Sequence, residues 1–166
     1  MSRRTNPSPT PISGATDAAL PNGAHSYRPV VLVVDDECSI AETLSEILIR
    51  TGFNASTAYD GASALEAALL NPPEVLITDV ILPGMSGIEL AISLRRIFPD
   101  CKVILFSGNA ATTSMLASAT RAGHNFTLLT KPVHPDVMLR HVSECVRSDA
   151  SIRQRVHSRS HAGVAN

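Results

Sequence analysis

The chain has 166 residues, 44% of them hydrophobic, and a formal net charge of −1, enough for one folded body and short flanking segments. No run of eighteen apolar residues exists, so no membrane span is expected, and the two arginines of MSRRTNPSPTPISG have no apolar stretch behind them to make a secretory signal. Cys38, Cys101 and Cys145 fit neither a disulfide framework nor a metal spacing, and are expected to be reduced thiols of a cytoplasmic protein.

The small net charge hides a division. Residues 29–148 carry a net −5, while residues 1–28 and 149–166 each carry +2. Three arginines in either flank are too few to argue direct nucleic-acid binding. Residues 1–28 are rich in Pro, Ser, Thr, Ala and Asn and lack an apolar period. Such a segment cannot bury enough surface to offset its ordering entropy, so it is expected to be disordered. Residues 149–166 are read as a flexible tail whose first half can extend the last helix.

Between the flanks, strand and helix patterns alternate. VVLVV (30–34) is a continuous β-branched run, the pattern of a strand covered on both faces. SIAETLSEILIRTG follows, with Ile40, Leu44, Ile47 and Leu48 at helical spacing and Gly52 as a stop. NAST (54–57) predicts a short strand. Asp60-Gly61 precedes the helix ASALEAALLN, which Pro72-Pro73 ends. EVLITD (74–79) predicts a strand, and a Pro-Gly turn leads to the helix GIELAISLRRIF, closed by Pro99. KVILFS (102–107), the helix TTSMLASATRAG, NFTLLT (125–130) and the helix HPDVMLRHVSECVRS complete the series, with Pro135 in the last helix's first turn. Five strands alternating with five helices predict a parallel sheet with helices on both faces.

In such sheets the functional crevice lies outside the carboxyl ends of the strands. The first strand ends in Asp35-Asp36-Glu37, the third in Asp79, the fourth in Ser107-Gly108 and the fifth in Lys131-Pro132. The second ends in Ala58-Tyr59 and contributes nothing obvious. Each has an ordinary reading alone: an N-cap, a turn, a loop. Together they form a charge-balanced set on one edge. Three converging carboxylates repel one another, and a divalent cation relieves this. Oxygen donors suit Mg2+ or Mn2+ rather than zinc. A metal, the Lys131 ammonium, the Ser107 hydroxyl and a carboxylate nucleophile, Asp79, equip a site for phosphoryl transfer. Glu37 is left to the N-terminus of the first helix.

These segments carry a family resemblance. VVDDE (33–37), TDVILPGMSG (78–87), LFSGN (105–109) and LLTKPV (128–133) resemble the four motifs of the receiver domain of two-component response regulators, in order, across residues 29 to 147. The resemblance implies an α/β, flavodoxin-like (βα)5 fold with a doubly wound five-stranded parallel sheet of strand order 2-1-3-4-5. It makes Asp79 the phosphoacceptor, with a histidine kinase or histidine phosphotransfer protein as donor. It makes Asp36 a direct Mg2+ ligand, Asp35 a ligand largely through water, and the backbone carbonyl of Ile81 a third ligand. Ser107 takes the place of the switch Ser/Thr, Lys131 contacts the phosphoryl group, and the Lys131-Pro132 peptide is expected to be cis.

The match departs in places. Leu128 stands where most receivers carry Phe or Tyr, and is expected in the core; Phe126 is the nearest aromatic, and the Gly123–Lys131 segment is one residue long. Ile81 and Asn109 stand where the family varies its dephosphorylation rate, and the apolar Ile81 is expected to shield an acyl phosphate. Equal decay in the protein and an Ile81→Asn variant would refute this. His134 reads as a helix-start residue and His141 as a helix-face residue. His25, His124, His157 and His161 show no metal spacing.

The expectation is a stand-alone receiver that acts on an unknown downstream protein or relays phosphate onward. It would not be an enzyme for a separate substrate, catalysing only its own phosphorylation and dephosphorylation. Three other classes fit less well. A haloacid dehalogenase-like phosphatase needs a second acid where Ile81 stands, and room for a cap domain. A flavodoxin-like FMN carrier needs a phosphate-cradling loop where the acidic DDECS stands. A non-phosphorylated scaffold leaves the Asp, Ser and Lys set unexplained.

Overall fold

Residues 27–108 and 112–147 are described by the structure, a computed structural model. Of the segment 1–28 expected to be disordered, residues 1–26 lie outside the described residues, as do the expected tail over 149–166 and Asn109. The strands are β1 (Val30–Val34), β2 (Asn54–Ala58), β3 (Val75–Asp79), β4 (Lys102–Ser107) and β5 (Thr127–Thr130). Between them run α1 (Cys38–Arg50), α2 (Gly61–Leu70), α3 (Gly87–Ile97) and α4 (Thr112–Arg121). A fifth helix, α5, occupies residues 135–147.

All four strand pairings are parallel, in the order β2-β1-β3-β4-β5. The expected doubly wound topology is therefore the observed one. The strands differ as their positions require. β1, β3 and β4 are buried over almost their whole length, because helices cover both faces. The edge strands β2 and β5 are less buried: β2 alternates in exposure, and β5 is exposed at both its ends. Successive residues of the central strands feed opposite cores. Leu32, Leu76, Val103 and Leu105 pack against Ala64 and Ala68 of α2, Leu90 and Leu94 of α3 and Ala119 of α4. Val31, Val33, Ile77, Ile104 and Phe106 pack against Ala41 and Leu48 of α1 and Met138 and Val142 of α5.

The helix starts follow local chemistry. Asp60 caps α2 by accepting from the Ser63 amide at 2.8 Å. Ser86 and Glu89 form a reciprocal capping box at the start of α3. Glu37 is the N-cap residue of α1, with no side-chain cap bond, so neither Asp35 nor Asp36 is used up as a cap. β5 starts two residues later than its sequence pattern predicts. The Asn125 carbonyl accepts from Arg95 Nη1 at 3.1 Å, and the Arg95 guanidinium carbon lies 4.9 Å from the centre of the Phe126 ring. Leu128, expected in the core, is half-buried against the α2–α4 side of the sheet, as is Phe126. The Lys131-Pro132 peptide is cis.

Candidate functional site: an acidic cluster with one ammonium group

The carboxyl ends of β1, β3, β4 and β5 form one rim. Asp35, directly after β1, is 2% exposed, and its Oδ1 accepts from the Glu37 amide at 3.0 Å. Asp36 is exposed. Asp79 is the last residue of β3 and pairs across the sheet with Phe106, the residue before Ser107. Asp35, Asp36 and Asp79 each offer one carboxylate oxygen to a cluster spanning 4.8 Å. Lys131 Nζ donates to Asp35 Oδ2 and to Asp79 Oδ2, both at 2.7 Å. Partial burial pulls the Lys131 pKa down, but its hydrogen bonds to Asp35 and Asp79 and their charges outweigh that and hold it above the ordinary lysine value. The other Asp79 oxygen, Oδ1, accepts from the Ile81 amide at 3.1 Å. The carboxylate is thus held from both sides.

The turn after Asp79 explains its glycines. Gly84 has φ +75°, in the left-handed region. Gly87 serves a different purpose. A Cβ there would stand 1.8 Å from the Asp79 carbonyl oxygen, a distance no side chain can occupy. Gly87 N–H donates to the Val80 carbonyl, and the Thr78 hydroxyl to the Asp79 carbonyl, both at 2.9 Å. The Val80 amide donates to the Phe106 carbonyl at 2.9 Å. The first residue of α3 is therefore packed onto the backbone of Asp79, which fixes the carboxylate's base.

Every site residue read from the sequence reaches this rim. Asp35, Asp36, Asp79 and Lys131 meet through their side chains. Ile81 meets the site through its amide, with its residue 57% exposed. Ser107 meets it through its backbone, whose carbonyl accepts from the Lys131 amide at 2.8 Å. The Ser107 hydroxyl is hydrogen-bonded to that of Thr112, the first residue of α4. Thr112 and Thr78 were not legible as site residues. Their only signal was a hydroxyl beside a loaded strand end. Beside Lys131 lies an apolar hollow of about 380 Å³, lined by Ile40, Leu44, Phe106, Pro132 and Val133.

The donor set fits a hard divalent cation. Three carboxylates against one ammonium leave two uncompensated negative charges, the charge of one Mg2+ or Mn2+. All side-chain donors are oxygens, as such ions prefer, and exposed Asp36 leaves the cluster open to water ligands.

Comparisons with known proteins agree with this geometry. A family model described as the response regulator receiver domain matches residues 31–143. The chain belongs to that family. It is 41% identical over 115 residues to the probable transcriptional regulatory protein TcrX of Mycobacterium tuberculosis, covering 68% of this chain and 48% of that one. It is 33% identical over 104 residues to the response regulator receiver protein CpdR of Brucella abortus, covering 63% of this chain and 85% of that one. The chain spans about half the length of most of the curated regulators it matches. Among solved structures, chemotaxis protein CheY4 of Vibrio cholerae superposes with a TM-score of 0.64 at 26% identity, covering 72% of this chain and 99% of that one. A two-component transcriptional regulator from Clostridium phytofermentans gives 0.65 at 28%, covering 76% and 98%. No helix among the described residues is long and apolar enough to cross a membrane.

Proposed function

We propose that this receiver is a phosphoaccepting switch in which Asp79 takes a phosphoryl group from a phosphohistidine of a histidine kinase or histidine phosphotransfer protein. The observation that carries the reading is the grip on Asp79: one carboxylate oxygen on Lys131, the other on the Ile81 amide, with Asp35 and Asp36 in the same 4.8 Å cluster. A carboxylate oxygen of Asp79 attacks phosphorus. The O–P bond forms as the P–N bond to the donor imidazole breaks, and the imidazole leaves with the electron pair. Lys131 would meet the charge that develops on the phosphoryl oxygens, and the Ser107 hydroxyl would donate to one of them. Asp35, Asp36, Asp79 and the Ile81 carbonyl would hold Mg2+, which when bound neutralises charge on the transferred group. Water attack at phosphorus later breaks the O–P bond to Asp79, releasing inorganic phosphate and returning the free carboxylate. The protein is then a catalyst only of its own phosphorylation and dephosphorylation.

The donor is proposed to dock over the rim, where the apolar hollow beside Lys131 can take a side chain flanking the phosphohistidine. Phosphorylation would then bias a face built from α4, β5 and α5 between two states that a downstream protein distinguishes. Action without a fused output domain is supported by the match to the Brucella receiver protein, which spans 85% of that protein, and by that to chemotaxis protein CheY4, which spans 99% of that chain. The transcriptional regulators among the relatives favour a second output, on DNA, exerted through another part of the same protein or through a partner. A cytoplasmic site of action follows from the proposed donors and suits three cysteines with free thiols.

Incubation with acetyl phosphate and Mg2+, read by intact mass, tests the reading. One added phosphoryl group is expected, absent in Asp79→Ala. Unchanged labelling of that variant would refute it. Turnover of a simple phosphomonoester would instead mark a phosphatase, although the second acid such enzymes need is here the exposed Ile81.

A further inference from the structure

A buried hydroxyl stands one residue before Asp79. Thr78 is fully buried in β3, and strand alternation puts its side chain on the same sheet face as the apolar Leu76. Packing in that layer asks only for a β-branched shape, so the oxygen needs a separate reason. It is spent on the next peptide: the Thr78 hydroxyl donates to the Asp79 carbonyl at 2.9 Å. A carbonyl oxygen only accepts, so the hydroxyl must be the donor. Asp79 itself lies past the last pairing of β3 with β1, that of Val34 with Thr78. The other end of the same peptide, the Val80 amide, donates to the Phe106 carbonyl at 2.9 Å. The plane between residues 79 and 80 is thus pinned at both ends, once by β4 and once by Thr78. Gly87 closes over the pin: a Cβ there would stand 1.8 Å from the Asp79 carbonyl oxygen and 2.9 Å from Thr78 Oγ1.

The Asp79 carboxylate depends on that plane. Its Oδ1 accepts from the Ile81 amide at 3.1 Å, one peptide further on, while its Oδ2 accepts from Lys131 Nζ at 2.7 Å. Rotation of the plane between residues 79 and 80 would move the Asp79 side chain against the Ile81 amide and strain both bonds. We propose that Thr78 is a positioning residue for phosphoryl transfer: by holding the Asp79 carbonyl, its hydroxyl keeps the attacking carboxylate aligned between Lys131 and the Ile81 amide. Alignment of this kind acts on rate, since a reacting atom misplaced by about 1 Å can lose a hundredfold.

The inference rests on Asp79 being the acceptor, and the test separates the two. The full chain and its Thr78→Val, Thr78→Ser and Arg95→Ala variants are incubated with acetyl phosphate and saturating Mg2+. Intact mass gives the rate of phosphoryl gain, and thermal melting reports the stability. Thr78→Val keeps the β-branched shape and removes the donor. It is expected to slow phosphoryl gain roughly three- to tenfold, the factor one neutral hydrogen bond supplies. Thr78→Ser keeps the hydroxyl and loses a buried methyl, so it is expected to melt lower yet gain phosphoryl at the parent rate. Arg95→Ala lowers stability at the other end of the sheet and is expected to keep the parent rate. A Thr78→Val protein that gains phosphoryl at the parent rate overturns the proposal and leaves Thr78 a packing residue. So does a Thr78→Ser protein as slow as Thr78→Val, or an Arg95→Ala protein slowed in step with its melting temperature. Thr78→Ala carries the same comparison if the valine variant does not fold. A parent protein that gains no phosphoryl group refutes the Asp79 reading itself and this inference with it.

Discussion

The two ends of the sheet use charge in opposite ways. At the carboxyl end, Lys131 bonds two carboxylates, and the nearby Asp36 lies exposed with none of its charge spent on a cap. At the amino end, charged groups are spent on backbone. Glu74 Oε1 accepts from the Val30 amide at 3.1 Å, and Arg95 donates to the carbonyls of Cys101 and Asn125 while covering the Phe126 ring. His124 stacks on the same aromatic ring, with planes 2° apart. The lower end satisfies orphan strand-end groups and closes the core. The upper end gathers three carboxylates whose charge one ammonium group balances only in part. One set of strands carries both, so stability is supplied at one end and chemistry is tolerated at the other.

Variants and conditions that act on one end alone would sharpen this contrast. The largest effect is expected in thiol chemistry. Burial, the dominant cause, pushes the Cys101 thiol up to about 12 at the lower end, so at pH 8 its thiolate fraction is on the order of 1 in 10,000. Iodoacetamide should modify exposed Cys38 at least about a hundredfold faster than Cys101 in the folded protein. Comparable rates, read by peptide mass, would mean that the lower end opens readily. The same shift has a sign for stability. The unfolded thiol ionises near 9 while the folded one keeps its proton to about 12, so this contribution is intact below pH 9 and is lost as pH climbs toward 12.

Next in size is Lys131→Ala, which removes the one ammonium bonded to both Asp35 and Asp79. Phosphoryl gain from acetyl phosphate should fall by about a hundredfold, the scale for one preorganised charge-stabilising donor, and an unaltered rate would remove Lys131 from the mechanism. Asp36→Asn should act in two directions. Without Mg2+ it relieves repulsion across the cluster and raises stability by about 1 kcal/mol. With Mg2+ the parent melting temperature should rise by linkage while the variant's barely moves. Equal Mg2+ shifts in both would place the ion elsewhere. Arg95→Ala should have the smallest effect on phosphoryl gain, none within error. Urea unfolding should report a loss of about 1–2 kcal/mol, from two backbone carbonyls and one ring face left uncovered. A slowed rate there would show that the two ends are coupled.

Much of this was legible in the residues, and unevenly. The central strands could be read from VVLVV, EVLITD and KVILFS, because burial on both faces leaves no polar position to confuse the pattern. β5 could be read in type but not in its start, since Arg95, thirty residues away, takes the Asn125 carbonyl. Asp35, Asp79, Ser107 and Lys131 could be read because each ends a strand, and parallel strands end on one edge. Thr112 could not: its chemistry is set by a hydroxyl on a different element.

By itself, then, the sequence determined which elements form, which edge carries the acids, hydroxyl and amine, and that the set is of the oxygen-donor kind that suits a divalent cation. Periodicity and strand ends encode these, because they depend on the direction of a side chain from its own backbone. Only the tertiary structure decided which partners meet: Lys131 across 96 residues to Asp35 and 52 to Asp79, Gly87 against the Asp79 carbonyl, Thr112 on Ser107. Such contacts are decided by register and helix docking, where the position of the neighbour, not the residue's own pattern, sets the distance.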